Sequence, residues 1–229
     1  MDKIVVQFIP KKLHLIWIGE DERRPTEWIE SWRRNHPEWE FRLWGNEDRL
    51  STSWICSRQI EALATAGRWE GVADVMRYEI LCEHGGVYVD ADSASVRPLD
   101  DCLLTTPMFA VWESEEHAPG LIANGFIGAV ARHPALLAII DRIRRLKNPL
   151  RMRKPWRLWT TPVAPWKTVG PALFTQVMRA QPDDQIRILP SALFLPDHFL
   201  APDKKLETVV YARHFWQTTN RARGVNIEP

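Results

Sequence analysis

Two aspartates separated by one residue, Asp90-Ala91-Asp92, follow directly on the apolar run Val87-Tyr88-Val89. In extended chain, residues two apart project to the same side, so both carboxylates face one way. Like charges held together are costly unless a cation or hydrogen-bond donors compensate, and paired hard oxygens suit Mg2+ or Mn2+. Such ions usually complete their shell with phosphate oxygens and water, which makes a nucleotide diphosphate a natural ligand class. An isolated pair of this kind is also common in solvated turns. Here it stands at the C-terminal end of a strand patterned for burial, where open α/β sheets bind ligands.

A second charged pair, Asp74 and Arg77, precedes it on a helical segment. Spacing i, i+3 puts both on one helix face, and the ordinary meaning is a surface ion pair. Their neighbours Val72, Ala73, Val75 and Met76 instead belong to an apolar stripe. A carboxylate and a guanidinium held at a sheet end could read sugar hydroxyls and a phosphate respectively. The chain has no GxGxxG fingerprint, no GxxxxGK[ST] loop, no GxSxG elbow and no HExxH helix.

The elements that must position these groups read as alternating strands and helices. Leu13 to Trp17 is a short buried strand, a helix from Pro25-Thr26 ends near Pro37, and Trp39 to Trp44 alternates like a strand. Helices follow over Ile55 to Ala66 and about Gly71 to His84, the second closed by Gly85-Gly86. A strand at Val87 to Val89 then delivers the acidic tip. Met108 to Trp112 and Ile122 to Ala131 are further strand candidates, and Pro134 to Lys147 is an amphipathic helix. Asn148 to Trp166, with four prolines and three tryptophans, reads as a long loop. A helix over Pro171 to Ala180 and strands near Ile186 to Leu189 and Thr208 to His214 complete the chain. Without repeats or a linker, residues 1–229 are expected to form a single α/β domain around a mostly parallel sheet.

The 229 residues are 45% hydrophobic and 26% charged, which excludes disordered, collagen-like and disulfide-scaffold chains. Cys56, Cys82 and Cys102 are widely spaced and form no zinc pattern, so free thiols in a reducing compartment are expected. Residues 1–10 lack the layout of a signal peptide, and no run reaches the ~18 apolar residues of a membrane span. These features point to a cytoplasmic protein, with peripheral attachment at the inner face of a membrane left open.

The net charge of +1 hides an asymmetry. Residues 142–182 contain ten Lys or Arg and no Asp or Glu, which leaves 20 basic against 29 acidic residues elsewhere. Trp156, Trp159 and Trp166 lie in this basic stretch, within the segment 141–182. A solvated helix face and loop is one reading. An anionic membrane surface is a second, and a nucleic acid gripped by charge and base stacking is a third.

Three ordered blocks carry a resemblance: Ile9-Pro10-Lys11-Lys12-Leu13-His14-Leu15-Ile16-Trp17-Ile18-Gly19, Ala73-Asp74-Val75-Met76-Arg77-Tyr78-Glu79-Ile80-Leu81, and Gly85-Gly86-Val87-Tyr88-Val89-Asp90-Ala91-Asp92. Together they resemble the DXD-containing sugar transferases of glycosyltransferase family 32, whose core signature the large clostridial toxin glucosyltransferases share. Weaker matches at Trp39 to Trp44, Asn124 to Gly128, Gly170-Pro171 and His214-Phe215-Trp216 extend it over most of the chain.

The resemblance implies a GT-A fold, a UDP- or GDP-sugar donor, Mn2+ or Mg2+, and hexose transfer with retention. It implies that Trp17 stacks on the nucleobase beside Ile18, and that Asp74 and Arg77 hold the donor sugar and its phosphate. Asp90 would touch the ribose and the metal, and Asp92 would be the principal metal ligand. Tyr88 and Ala91 would line the donor pocket, His214 would add a metal or diphosphate ligand, and Trp216 would contact substrate. Asn124 and Gly125 would lie beneath the acceptor, or form a plain glycine-rich turn. A glycan or lipid-linked sugar of the cell envelope is the expected acceptor, with modified nucleic acid or protein as alternatives. A non-catalytic nucleotide-sugar-binding module is the competing class, and the presence of Asp74, Arg77, Asp90 and Asp92 together argues against it. No nucleophile other than Asp74 suggests itself for a double displacement, which favours front-face attack assisted by the leaving phosphate.

Overall fold

The computed structural model describes residues 9–153, 159–182, 184–198 and 209–217. A β-α-β unit opens the chain, with β1 (Lys12–Ile16), α1 (Thr26–Asn35) and β2 (Glu40–Trp44). Three helices follow, α2 (Asn46–Ser51), α3 (Ser57–Thr65) and α4 (Trp69–His84). Next come β3 (Gly86–Val89), β4 (Ser93–Ser95), β5 (Met108–Ser114), β6 (Ala118–Ala129) and α5 (Pro134–Arg144). The remaining elements are β7 (Arg151–Arg153), β8 (Thr160–Pro162), α6 (Pro171–Met178), β9 (Arg187–Leu189) and β10 (Ala212–His214).

Six strands form one sheet in the order β2-β1-β3-β6-β5-β9. The pairs β1·β2, β1·β3 and β5·β9 are parallel, and β6 runs antiparallel to both β3 and β5. The expected mostly parallel α/β sheet is therefore present, with one reversed strand near its centre. Apolar side chains fill both faces. Tyr88 and Ile127 point into a core shared with α3 to α6, whereas Val87, Val89 and Phe126 point to the side of Ile29 and Trp32 on α1. This alternation decides where the chemistry lies, because the side of Tyr88 is also the side of α4 and Arg77.

The passage from α4 into β3 takes a single residue, Gly85, and glycine makes that possible. Gly85 and Gly86 have φ of 61° and 103°, and a Cβ at Gly86 would stand 2.6 Å from the Lys12 carbonyl oxygen. Only glycine tolerates both the positive φ and the close approach of β1. The strand is thereby pinned between β1 and β6, with its acidic end at the sheet's edge of opening.

The structure corrects two readings of the sequence. Asn148 to Trp166 is not wholly loop, because β7 and β8 pair antiparallel as a hairpin, Met152 opposite Thr161. Strands of three residues with mostly exposed side chains leave no alternation to detect. β6 begins four residues earlier than Ile122 and is 12 residues long. Its glycines dilute the strand pattern, yet Gly128 is where the Phe109 ring lies against the backbone and Gly125 is where Asp90 does. Trp156 and Thr208 lie outside the described residues, and β10 begins at Ala212. Cys56, Cys82 and Cys102 are free thiols, and among the described residues no helix is long and apolar enough to cross a membrane.

His14, 2% exposed in β1, ties this arrangement to pH. Its Nδ1 accepts from Trp44 Nε1 at 3.3 Å, so the ring proton sits on Nε2 and is donated to the Gly85 carbonyl at 3.0 Å. Burial lowers its pKa to about 4, over the opposing effect of the Gly85 bond. Between pH ~6.5 and ~4 the unfolded chain takes up a proton that the folded chain refuses, so stability falls as pH falls through that window. A loss of about 3 kcal/mol by pH ~4 follows for this residue alone, and burial lowers the pKa of His36, His84 and His133 as well. Urea midpoints measured from pH 7 to pH 4 should show this decline, and His14→Gln should flatten part of it.

Candidate active site

Arg77 enters the site from α4, one turn after Asp74 and 4% exposed. Its guanidinium reaches Asp74 Oδ1 at 3.2 Å and Asp90 Oδ1 at 3.1 Å, donates to the Asn124 carbonyl at 2.6 Å, and lies 4.4 Å from the centre of the Tyr88 ring. Asn124 Nδ2 donates to Asp74 Oδ1 at 2.7 Å and to the Tyr78 hydroxyl at 2.9 Å. The pair read from the sequence is thus buried, and it joins α4 to the end of β3 and the middle of β6. Burial lifts the Asp74 carboxyl to about 6, against the pull of Arg77 and of the Asn124 amide. Burial pushes Asp90 the same way, but Arg77, His214 and the Tyr88 hydroxyl outweigh it and hold that carboxyl well below the usual range.

Each aspartate of the acidic tip has one oxygen fastened and one presented. Asp90 Oδ1 is held by the Tyr88 hydroxyl at 2.8 Å and by Arg77, while Oδ2 faces His214 Nε2 at 3.4 Å. Asp92 Oδ2 accepts from the Gln217 backbone N–H at 2.9 Å, and Oδ1 lies 3.1 Å from His214 Nε2. The turn itself is fixed by the Asp90 carbonyl, which accepts from Ser93 N and Oγ at 3.1 and 2.6 Å. Ser93 in turn accepts from the buried Trp32 indole at 3.0 Å. A Cβ on Gly125 would run into Asp90 Oδ2, so this glycine is a requirement of the carboxylate's placement.

His214 arrives from the far end of the chain on β10, which pairs antiparallel with β4 so that His214 lies opposite Ser93. The segment after it is clamped: Phe215 N donates to the Asp92 carbonyl at 2.9 Å, and the Phe215 ring stacks on Trp28 of α1 at 3.9 Å and 11°. Trp216, at φ 53°, donates its backbone N–H to His214 Nδ1 at 3.1 Å and its indole N–H to the Asp197 carbonyl at 2.9 Å. With Nδ1 accepting, the imidazole carries its proton on Nε2, between the two carboxylates. Burial opposes a second proton on this ring, whereas Asp92 and Asp90 favour one and raise its pKa to about 10 in the metal-free site. A charged ring there would have to release the Trp216 N–H from Nδ1.

Ligand atoms of Asp90, Asp92 and His214 lie within 4.8 Å of one another. Two presented carboxylate oxygens with one imidazole nitrogen fit Mn2+ or Mg2+ when phosphate oxygens complete the shell. Nε2 would give up its proton to join such a shell, as ligand nitrogens must.

The structure brings Asp74, Arg77, Tyr88, Asp90, Asp92, Asn124, Gly125 and His214 into one constellation, with Trp216 against the His214 ring at 4.6 Å. Arg77 lies behind the carboxylates, engaged by protein, and not in the open position expected of a phosphate ligand. Asn124 is likewise 7% exposed and spent on Asp74 and Tyr78. Ala91 and Ile18 are buried in the two cores. Trp17, half-buried just past the end of β1, donates its indole N–H to the Glu20 carbonyl at 3.2 Å. Sequence reasoning missed Tyr78, Ser93, Trp28 and Gln217 as supports. Tyr88 and Asp90 share a strand face by their spacing, which is signal enough for that bond, but a backbone N–H such as that of Gln217 has no sequence signature.

Residues 22–109 match the model of the glycosyltransferase sugar-binding region containing the DXD motif. The matched stretch takes in Asp74, Arg77, Asp90 and Asp92. Among curated proteins, a mannosyl phosphorylinositol ceramide synthase of Saccharomyces cerevisiae is 31% identical over 148 residues, covering 62% of this chain and 37% of its own. Inositol phosphoceramide mannosyltransferase 1 of Schizosaccharomyces pombe is 28% identical over 201 residues, covering 81% and 57%. The chain therefore spans less than two thirds of the length of either relative. Among solved structures, the PaToxG glycosyltransferase superposes with a TM-score of 0.56 at 17% identity, covering 76% of this chain and 69% of that one. The UDP-bound glycosyltransferase domain of the YGT toxin superposes with a TM-score of 0.55 at 10% identity, covering 80% of each chain. The fold shared with these structures is GT-A.

Two substitutions test the geometry. Gly125→Ala should displace Asp90 and weaken Mn2+ binding by about 10-fold to 100-fold, the range for supports of metal ligands, as read by calorimetric titration. Trp28→Ala removes a nearly buried ring and the stack on Phe215, and should cost about 3 kcal/mol. Limited proteolysis should then cut near residues 215–217 sooner than in Trp28→Phe, which keeps a ring.

Proposed function

We propose that this protein is a retaining, metal-dependent glycosyltransferase that moves a hexose from a UDP- or GDP-sugar to a hydroxyl of a lipid-linked acceptor. The observation that carries the reading is the convergence of Asp90 Oδ2, Asp92 Oδ1 and His214 Nε2 at the C-terminal end of β3, with the other oxygen of each carboxylate already fastened. Cleavage of a sugar-phosphate bond leaves a diphosphate with added negative charge, and Mn2+ or Mg2+ held there supplies Lewis-acid stabilisation of it. The chain's own part is to hold the carboxylates without reorganisation. Arg77 and Tyr88 fix Asp90, and the tail fixes Asp92, so the groups stand ready before the donor arrives.

Retention is the outcome implied by the family resemblance, and the surroundings of Asp74 bear on its route. A double displacement needs a carboxylate free to bond the anomeric carbon. Asp74 has Oδ1 shared between Arg77 and Asn124, and a Cβ at Gly170 would lie 2.8 Å from its Oδ2. Such a carboxylate supports binding of sugar hydroxyls at its rim, and front-face attack by the acceptor on an oxocarbenium-like sugar accounts for retention without a glycosyl-enzyme. For the acceptor, the yeast relatives are named for mannosyl transfer to inositol phosphoceramide, which favours mannose and a lipid-anchored polyol over a soluble glycan. An acceptor of the cell envelope remains within that class.

A panel of UDP- and GDP-sugars with Mn2+, assayed for released nucleotide, tests the reading. Turnover of at least one donor is expected, abolished by chelation and reduced about 100-fold or more by Asp92→Asn, as for loss of a group that stabilises developing charge. No release from any donor, with no ligand-induced rise in Tm, would sink it. A covalent glycosyl-enzyme trapped on Asp74 would overturn the front-face route.

A further inference from the structure

We propose that the β7–β8 hairpin, the end of α5 and the turn at Trp166 together form a docking surface for an anionic lipid bilayer. The base of the hairpin is closed by Val163 N donating to the Leu150 carbonyl at 2.9 Å and held to the turn that follows by Thr168 Oγ1 donating to the Pro149 carbonyl at 2.5 Å. It presents large apolar side chains outward, with Met152 40% exposed, Trp159 64% and Trp166 47%. Exposed cations lie on the same elements, Lys147 after α5, Arg151 on β7 and Lys167 5.0 Å from the centre of the Trp166 ring, while Arg145 is paired with Asp141 at 2.7 Å. Tryptophan settles at the headgroup level of a bilayer while lysine and arginine meet anionic headgroups.

Two further features choose the bilayer. Met152 is an unbranched apolar side chain on the same hairpin, suited to the acyl boundary and without a face on which a base could stack. The stretch 142–182 holds no acidic residue, whereas the rest of the chain has nine more acidic than basic residues. An anionic surface therefore attracts this side and repels the others, which sets the protein's orientation as well as its attachment. The orientation is productive, because the Trp166 turn adjoins the site: a Cβ at Gly170 would lie 2.8 Å from both Asp74 Oδ2 and Trp166 Cα. The side that meets the membrane is the side from which an acceptor would reach the sugar. The surface is inferred from exposure and charge alone; only its role in delivering a lipid acceptor rests on the transferase reading.

Sedimentation with phosphatidylcholine vesicles, with and without phosphatidylserine, tests it in the absence of donor. The protein should pellet with the anionic vesicles and be released by salt. Lys147→Glu combined with Trp159→Ala should reduce the bound fraction at least tenfold, while metal-dependent release of nucleotide from a soluble donor stays at the parent level. Equal binding to neutral vesicles, no binding to either, or tighter binding to single-stranded DNA than to anionic vesicles would overturn the proposal. Because vesicle binding is read without the donor, its failure and that of the proposed reaction are seen separately.

Discussion

The guanidinium of Arg77 is the constraint around which the site is arranged. It is withdrawn from water and surrounded by two carboxylates, a backbone carbonyl and an aromatic face. Removing one partner from such a buried set typically costs about 3–5 kcal/mol, because the remaining charge has no solvent to turn to. The chain around it obeys that demand. α4 must be buried along nearly its whole length to bring Arg77 in, and β6 must pass close enough to offer the Asn124 carbonyl. Gly125 must lack a side chain so that Asp90 can lean toward the cation. Asp74 on α4 and Asp90 at the end of β3 are thereby held by one side chain.

Charge is also distributed with purpose on a larger scale. Acidic groups gather at the open end of the sheet, where only His214 and Arg77 offset them. Ten of the 30 Lys and Arg fall in residues 142–182, from the last turn of α5 onward, with no Asp or Glu among them. The acidic end is prepared for a cation, and the Trp166 turn of the basic stretch adjoins it at Gly170. The near-zero total is the sum of these two regions and describes neither.

Much of this was legible in the sequence, for reasons that particular residues make plain. α4 is long, strongly patterned and stopped by two glycines, so its extent and the start of β3 followed from helix and turn chemistry. Asp90 and Asp92 stood out because two carboxylates at a strand end require a counter-charge. β6 was harder to see, since Gly125 and Gly128 lower strand propensity in order to admit a carboxylate and a ring from neighbouring elements. Arg77 was visible as a residue and misjudged in role, because spacing shows which face a side chain occupies and not how deeply that face is buried. The β7–β8 hairpin and the pairing of β4 with β10 involve three residues on each strand, too few for any period to register.

The tail carries a consequence for the timing of events at the site. His214 sits 124 residues from Asp90 along the chain, on a strand of three residues that pairs with β4. Asp92, meanwhile, is fastened by the tail's own backbone at Gln217. Whatever bridges the three side chains also staples the tail to the sheet, so occupancy and tail docking form a single equilibrium. A ligand that leaves loosens the strap, and a strap that loosens lets the ligand leave.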